Sequence, residues 1–411
     1  MALLAIAPSA AQAADTAGFS AGAAKVELTP AKRVPLAGYS KRKGKRSTGV
    51  HDPVFARALV LRDEHAALAI VSCDVLIIDE LLFRAVQQRL KTHPPSAGPV
   101  TLLLAATHTH SGPGAYGRTL LEKIGMGHYD QAVFDQLADR IAESVHQAST
   151  VLRPADVTIG HAATQGLIKN RVEPDGMVDE QLTVLTIRSG GTPLAFLVNF
   201  AAHPTTLGAH QLEISADYPG VVSAALEAQH PGSVALFLAG SVGDQAPIKH
   251  GEGFGRAEWL GGQLAEAAQR AMQSASPSSE ALAAKTETMK LPPARVRLNR
   301  RVTLPAPIGR ALVDNDASLI VLRVGDAALI GAPCDLTAEL GQALKRHAAD
   351  RGLQPIVVSF ANDYIGYCIP ERLYATEEYE ARMAFNGPRT GELLVEKLGQ
   401  LIDAVAAEPH R

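Results

Sequence analysis

The sequence predicts an α/β fold of layered, mixed β-sheets flanked by helices, with the active site at the carboxyl ends of strands. Three observations predict it. Apolar runs of strand length alternate with longer segments whose apolar residues keep helical spacing. Two pairs of apolar runs read as hairpins, so the sheets must contain antiparallel neighbours beside helical crossovers. Chemically capable side chains recur just past apolar strands, where layered α/β folds place their ligands.

Taken in order, residues 68–73 form an apolar strand that stops at Asp74. Leu82, Val86 and Leu90 then mark one face of a helix. The run 100–104 is a buried strand leading to His108, and 134–146 is an amphipathic helix. Strands at 182–187 and 194–200 flank Ser189-Gly190-Gly191-Thr192, a hairpin turn. Helices at 221–229 and 260–272 enclose a strand at 234–238, and the Ser/Pro-rich stretch 273–279 reads as a turn or linker. A second hairpin joins 319–324 to 327–330, followed by a helix at 336–347 and a last strand at 355–360. No tandem repeat stands out.

At 411 residues with a net charge of −3, the chain is unlike a protein that grips nucleic acid by neutralising phosphates. One local exception, Lys41-Arg42-Lys43-Gly44-Lys45-Arg46, reads as a solvated loop able at most to meet an anionic lipid surface peripherally. The cysteines, Cys73, Cys334 and Cys368, show no Cys-x-x-Cys spacing and are expected to be buried thiols. Residues 1–13 combine a short apolar run with Ala11-Gln12-Ala13, the pattern of a signal-peptide remnant, so the expected destination is periplasmic or secreted. Residues 19–405 are expected to form a single domain.

The most specific stretch is Thr107-His108-Thr109-His110-Ser111-Gly112-Pro113-Gly114. Neutral imidazole is the commonest protein metal ligand, so two histidines at a strand end suggest a metal site. The competing reading is that they only bond to loop backbone. Further strand ends add His203, Asp244, Asp335, Tyr364 and Tyr367. A serine hydrolase built on Ser111 or Ser241 would need a Gly-x-Ser-x-Gly elbow, which neither has.

These segments together resemble the catalytic region of the neutral/alkaline, non-lysosomal ceramidases. The resemblance rests on Gly38-Tyr39, Thr48-Gly49-Val50-His51-Asp52-Pro53, the His108 loop, Asn170-Arg171, Asn199-Phe200-Ala201-Ala202-His203-Pro204, Gly243-Asp244 and Asn362-Asp363-Tyr364-Ile365-Gly366-Tyr367. It implies one catalytic zinc held by His108, His203, Asp335 and Tyr367. It also implies hydrolysis of the ceramide amide bond, or that of a related N-acyl lipid, by metal-activated water. His110 and Arg171 match residues facing the substrate amide, and Tyr379 a further pocket tyrosine. His110 is the expected acid/base, and Asp74 and Asp244 are expected to orient the ligand histidines.

The sequence departs from that pattern in two places within the catalytic region. Asp335 stands where the family has glutamate, one methylene longer. Ala246 stands where the family often has serine, which leaves direct attack by water. These departures keep two alternatives open: a zinc hydrolase acting on another small N-acyl amide, peptide or ester, and a non-catalytic binding protein on the same scaffold.

Overall fold

Strand after strand in this chain is apolar on both faces, and that fixes the layering. Six successive buried residues in Phe55–Arg62 and six in Ala67–Cys73 leave no face for water, so each sheet must be covered twice. A computed structural model describes residues 18–299, 302–304, 309, 313 and 315–408. The expected signal remnant at 1–13 lies outside the described residues.

The architecture is one topological unit laid down three times. Strands β1 (Ser20–Glu27), β2 (Phe55–Arg62) and β3 (Ala67–Cys73) run antiparallel in sequence. Helix α1 (Glu80–Thr92) then crosses to β4 (Thr101–Ala106), parallel to β3. A short helix, α2 (Leu120–Met126), follows, and α3 (Gln131–Thr150) packs back across β1 and β2. The second unit repeats this with β5 (Asp156–Ala163), β6 (Gln181–Ser189) and β7 (Thr192–Phe200). Helix α4 (Asp217–Gln229) crosses to the parallel strand β8 (Val234–Ala239), and α5 (Gly255–Gln273) returns over β5 and β6. The third unit has β9 (Leu282–Lys290), β10 (Asp316–Val324), β11 (Ala327–Ala332), α6 (Ala338–Ala349), the parallel strand β12 (Gln354–Ser359) and α7 (Thr390–Ala406). The four long strands keep the same order in each sheet, and the first two sheets add a two-residue edge strand, Arg153–Pro154 and Ser276–Pro277.

The inner faces of the three sheets share a core. Leu59, Ile70 and Leu103 meet Leu185 and Leu236 from the second sheet and Ile320, Leu329 and Ile356 from the third. Helices cover the outer faces, with α6 and α7 over the third sheet. Burying each such aliphatic side chain is worth roughly 1.5–3 kcal/mol, so this junction holds the strand ends in fixed relation. The mixed α/β layering expected from the sequence is present. The three cysteines are buried free thiols, also as expected.

Two element boundaries differ from the sequence reading for local reasons. The helix expected from 336 begins at Ala338, because Asp335–Leu336 pairs in parallel register with Tyr367–Cys368 and Thr337 takes the N-cap position. The stretch 273–279 is not a free linker: α5 runs to Gln273, and Ser276–Pro277 pairs with β5 at the sheet edge. No helix among the described residues is long and apolar enough to cross a membrane.

Candidate metal centre

Strand ends deliver the site. Two residues beyond β4, His108 adopts a left-handed backbone with φ 65°, a conformation non-glycine residues rarely take without a local reason. Its ring lies flat on Phe360, centroids 3.8 Å apart. Its Nδ1 meets Leu76 O at 2.6 Å. A carbonyl can only accept, so Nδ1 carries the proton and Nε2 keeps its lone pair. His203, three residues past β7, is held the same way, with Nδ1 against Val242 O at 3.3 Å.

The Nε2 atoms of His108 and His203 lie 3.1 Å apart, and Nε2 of His110 lies 3.2 Å from each. A point equidistant from three such nitrogens is about 1.8 Å from each, close to the ~2.0–2.1 Å of a zinc–nitrogen bond. Burial pushes the His108 imidazole down to about 3 and holds His110 and His203 well below the usual histidine range. All three are therefore in the neutral, ligating form. His110 differs in one respect. Its Nδ1 faces the Gly38 backbone without a hydrogen bond of good geometry, so it is held less firmly than the other two.

Asp335 enters from the third unit, three residues past β11. Its Oδ2 accepts the Tyr364 hydroxyl at 2.8 Å. Its Oδ1 is buried without a hydrogen-bond partner, 3.6 Å from His108 Nε2. Burial pushes this carboxyl up to about 7. An orphaned carboxylate oxygen beside three neutral imidazoles is a donor set that suits a divalent cation such as zinc. Tyr367 is the register partner of Asp335, and its hydroxyl accepts from Arg171 Nη2 at 2.8 Å. The same Arg171 nitrogen reaches Gly243 O at 2.7 Å, while Nε lies 2.8 Å from Glu380 Oε1. Tyr379 packs edge-on against Tyr367, centroids 5.7 Å apart, and stands half-exposed at the rim.

These seven residues, His108, His110, Arg171, His203, Asp335, Tyr367 and Tyr379, line one cavity of about 540 Å³. Its outer wall is largely apolar, with Leu121, Met126, Met383 and Phe385. Ser111 and Ser241 are fully buried and do not line it, which removes the serine-nucleophile reading.

Two expected residues do something else. Asp74 orients no histidine: its Oδ2 accepts Arg57 Nη1 at 2.7 Å and Phe55 N at 2.9 Å. A carboxylate with no exposed surface needs charged or backbone donors, and β2 supplies both. Asp244 also touches no imidazole. It accepts from Asn170 Nδ2 at 2.8 Å and from Ala338 N at 2.9 Å, tying the Arg171 loop to the start of α6. The ligand imidazoles are oriented by main-chain carbonyls instead. A further correction concerns Arg42, which is not solvated. It is buried and donates to Ala37 O and Gln211 O, and burial pushes it down to about 10.

Sequence reasoning passed over the roles of Tyr364, Phe360 and Glu380. Tyr364 stands in the Asn362–Tyr367 motif and was legible as a candidate. Nothing in the sequence marks Phe360 as the platform for His108 or Glu380 as the partner of Arg171.

Fold and pocket thus define an α/β protein with a metal-competent histidine cluster at the carboxyl ends of its strands. The profile of the neutral/alkaline non-lysosomal ceramidase N-terminal region matches residues 19–259, and the chain belongs to that family. A neutral ceramidase of Pseudomonas aeruginosa is 24% identical over an alignment covering 92% of this chain and 70% of that protein. One from Mycobacterium tuberculosis is 27% identical, over 52% of this chain and 37% of its own length. The crystal structure of neutral ceramidase from Pseudomonas aeruginosa superposes with a TM-score of 0.85 at 22% identity, covering 95% of this chain and 75% of the other. At that identity the superposition speaks for the fold.

Proposed function

We propose that this chain is a zinc-dependent amidase that hydrolyses the N-acyl amide of ceramide, or of a related N-acyl lipid, to a fatty acid and an amine. The observation that carries the reading is the meeting of His108 Nε2 and His203 Nε2 beside the orphaned Asp335 Oδ1, with His110 Nε2 within 3.2 Å of both, in a cavity with apolar lining. The substrate class follows from the family and from relatives named neutral ceramidase.

His108 and His203, whose Nδ1 atoms are anchored, would hold the ion through Nε2, with Asp335 Oδ1 and the Tyr367 hydroxyl as the oxygen donors. When bound, a divalent cation there supplies polarisation of the amide carbonyl and a more acidic water. The chain's own groups do the rest. Arg171, fixed by Gly243 O and Glu380, donates toward the oxygen that gains charge as water adds to the carbonyl carbon. Tyr367 accepts from Arg171, which holds its hydroxyl oxygen in place beside Asp335. His110 takes the proton from the attacking water and gives it to the amine nitrogen as the carbon–nitrogen bond breaks. Its Nδ1, less firmly held than those of His108 and His203, suits a group that must change protonation state each turnover. Leu121, Met126, Met383 and Phe385 receive the acyl chain, and Tyr379 closes over it at the rim.

The test is metal analysis with a hydrolysis screen over N-acyl sphingosines, N-acyl amino acids and simple esters. The expected result is stoichiometric zinc and preference for N-acyl sphingosines. His108→Ala and His203→Ala should each lose both zinc and activity. His110→Ala should keep zinc and lose about 10²–10⁴-fold in rate. Full zinc retention in the His108 or His203 variant, or no amide cleavage by zinc-loaded protein, overturns the reading.

A further inference from the structure

Two features of one wall of the pocket are left unused by the chemistry above. The first is charge. Between Glu27 and Asp52 the sequence carries Lys32, Arg33, Lys41, Arg42, Lys43, Lys45 and Arg46 and no acidic residue, in a chain whose net charge is −3. Lys32 pairs with Asp130, and Arg42 is buried on backbone carbonyls. Lys41, Lys43, Lys45 and Arg46 are exposed, and none makes an ion pair among the described residues. Four solvated like charges in six residues repel one another, and an anionic partner would relieve that repulsion.

The second is apolar exposure. On α2, Leu120 is 61% exposed and Ile124 54% exposed. They lie four residues apart, on one face of the helix. Their neighbours Leu121, Gly125 and Met126 line the cavity, so the helix is part of the pocket wall with its other side in water. The basic loop is bonded to this helix: Gly38 N–H donates to Gly125 O at 3.0 Å, and a Cβ placed on Gly44 would lie 3.6 Å from Gly127 Cα. Ser40 and Lys41 line the cavity from the loop side.

We propose that the loop bearing Lys41, Lys43, Lys45 and Arg46 and the outer face of α2 form one surface that docks the mouth of the pocket on an anionic lipid bilayer. This rests on the lipid-amide reading above. The chemistry favours a bilayer over an acidic protein, because apolar tips beside unpaired cations match the boundary between headgroups and acyl chains. The position adds a reason. A docking surface on one wall of the pocket lets a lipid move from the bilayer into the cavity without crossing water. Half-exposed Tyr379 adds an aromatic ring to the lining of the same cavity.

The experiment is co-sedimentation of the whole chain with vesicles that contain no substrate. One set is phosphatidylcholine; the other is phosphatidylcholine with phosphatidylglycerol. Binding is expected to the anionic set and to weaken with salt. Each cation near such a surface is worth roughly tenfold or somewhat less in partitioning. Lys43→Gln/Lys45→Gln/Arg46→Gln should therefore lose about a hundredfold, and Leu120→Ser/Ile124→Ser about tenfold or more. Both variants should keep the wild-type circular dichroism spectrum, zinc content and rate on a water-soluble short-chain N-acyl amide. Wild-type protein that does not sediment with anionic vesicles, or a folded triple variant that sediments like wild type, overturns the proposal. Capture by an acidic protein in place of vesicles also overturns it. Because the vesicles carry no substrate, the result stands apart from whether the chain cleaves ceramide.

Discussion

Tyr364 donates its hydroxyl to Oδ2 of Asp335 at 2.8 Å, which leaves Oδ1 of the same carboxylate facing His108 without a partner. One oxygen is anchored and the other is left open toward the imidazole cluster. Removing the anchor should loosen the carboxylate without removing it. Tyr364→Phe is expected to keep a folded protein and to weaken zinc affinity by about 10–100-fold, the usual effect of losing a partner that orients a ligand. Competition against a chelator of known affinity measures it. An unchanged affinity would mean that Asp335 does not reach the ion.

Zinc should also act as a staple between units, since His108, His203 and Asp335 come from three different sheets. Binding only to the folded state stabilises it by about 2.7 kcal/mol at a hundredfold excess over Kd. Chelation is therefore expected to lower the thermal midpoint of wild-type protein and to abolish hydrolysis, with both restored by zinc. His203→Ala should show no zinc-dependent shift. Scanning calorimetry with and without chelator gives both curves.

Asp74 is expected to matter for stability and not for the imidazoles. It and Arg57 are both nearly inaccessible, 2.7 Å apart, with Glu227 near the same guanidinium. Asp74→Ala leaves the buried Arg57 with only the longer Glu227 contact and should destabilise by about 2–4 kcal/mol. Arg57→Met/Asp74→Leu removes both charges and should recover much of that loss. Denaturant titration reads the stability. Zinc affinity at a temperature where each variant is folded should stay at the wild-type value.

A pH effect should arise far from the site, at His161. Burial lowers its pKa from the ordinary histidine value, and its ring bonds Thr183 Oγ1 at 3.0 Å and Gln354 Oε1 at 3.2 Å. The unfolded chain therefore binds a proton at a higher pH than the folded one. Stability from the neutral ring is complete above the unfolded pKa near 6.5 and declines as pH falls toward the lower folded pKa. His161→Gln should flatten this decline as pH falls below about 6.5. The difference in unfolding free energy between variant and wild type, followed downward from that pH, is the measurement. A constant difference would rule out the histidine as its source.

Much of the fold was legible because strand and helix here obey period alone. The Ser189–Thr192 turn and the apolar runs around it needed no tertiary information. The threefold repeat was invisible because burial on both faces asks only that residues be apolar, and the three units meet that demand with different side chains. His108, His203, Asp335 and Tyr367 were legible as a group because motif and strand-end position agreed. The partners of Asp74 and Asp244 were not. Arg57 reaches Asp74 across a sheet register, and Ala338 N reaches Asp244 from 94 residues away, and pairings of that kind have no local signature.

The repeated architecture bears on when a cation can first be gripped during synthesis. His108 and His203 are 95 residues apart, and the carboxylate lies beyond both, in the final third of the chain. A nascent polypeptide thus offers only imidazoles, with no anionic donor to complete the cage, until its last sheet emerges and closes on the first two. Contacts spanning such separations form late and slowly. A chain that still lacks its last sheet is accordingly expected to hold a divalent cation more weakly than the finished one.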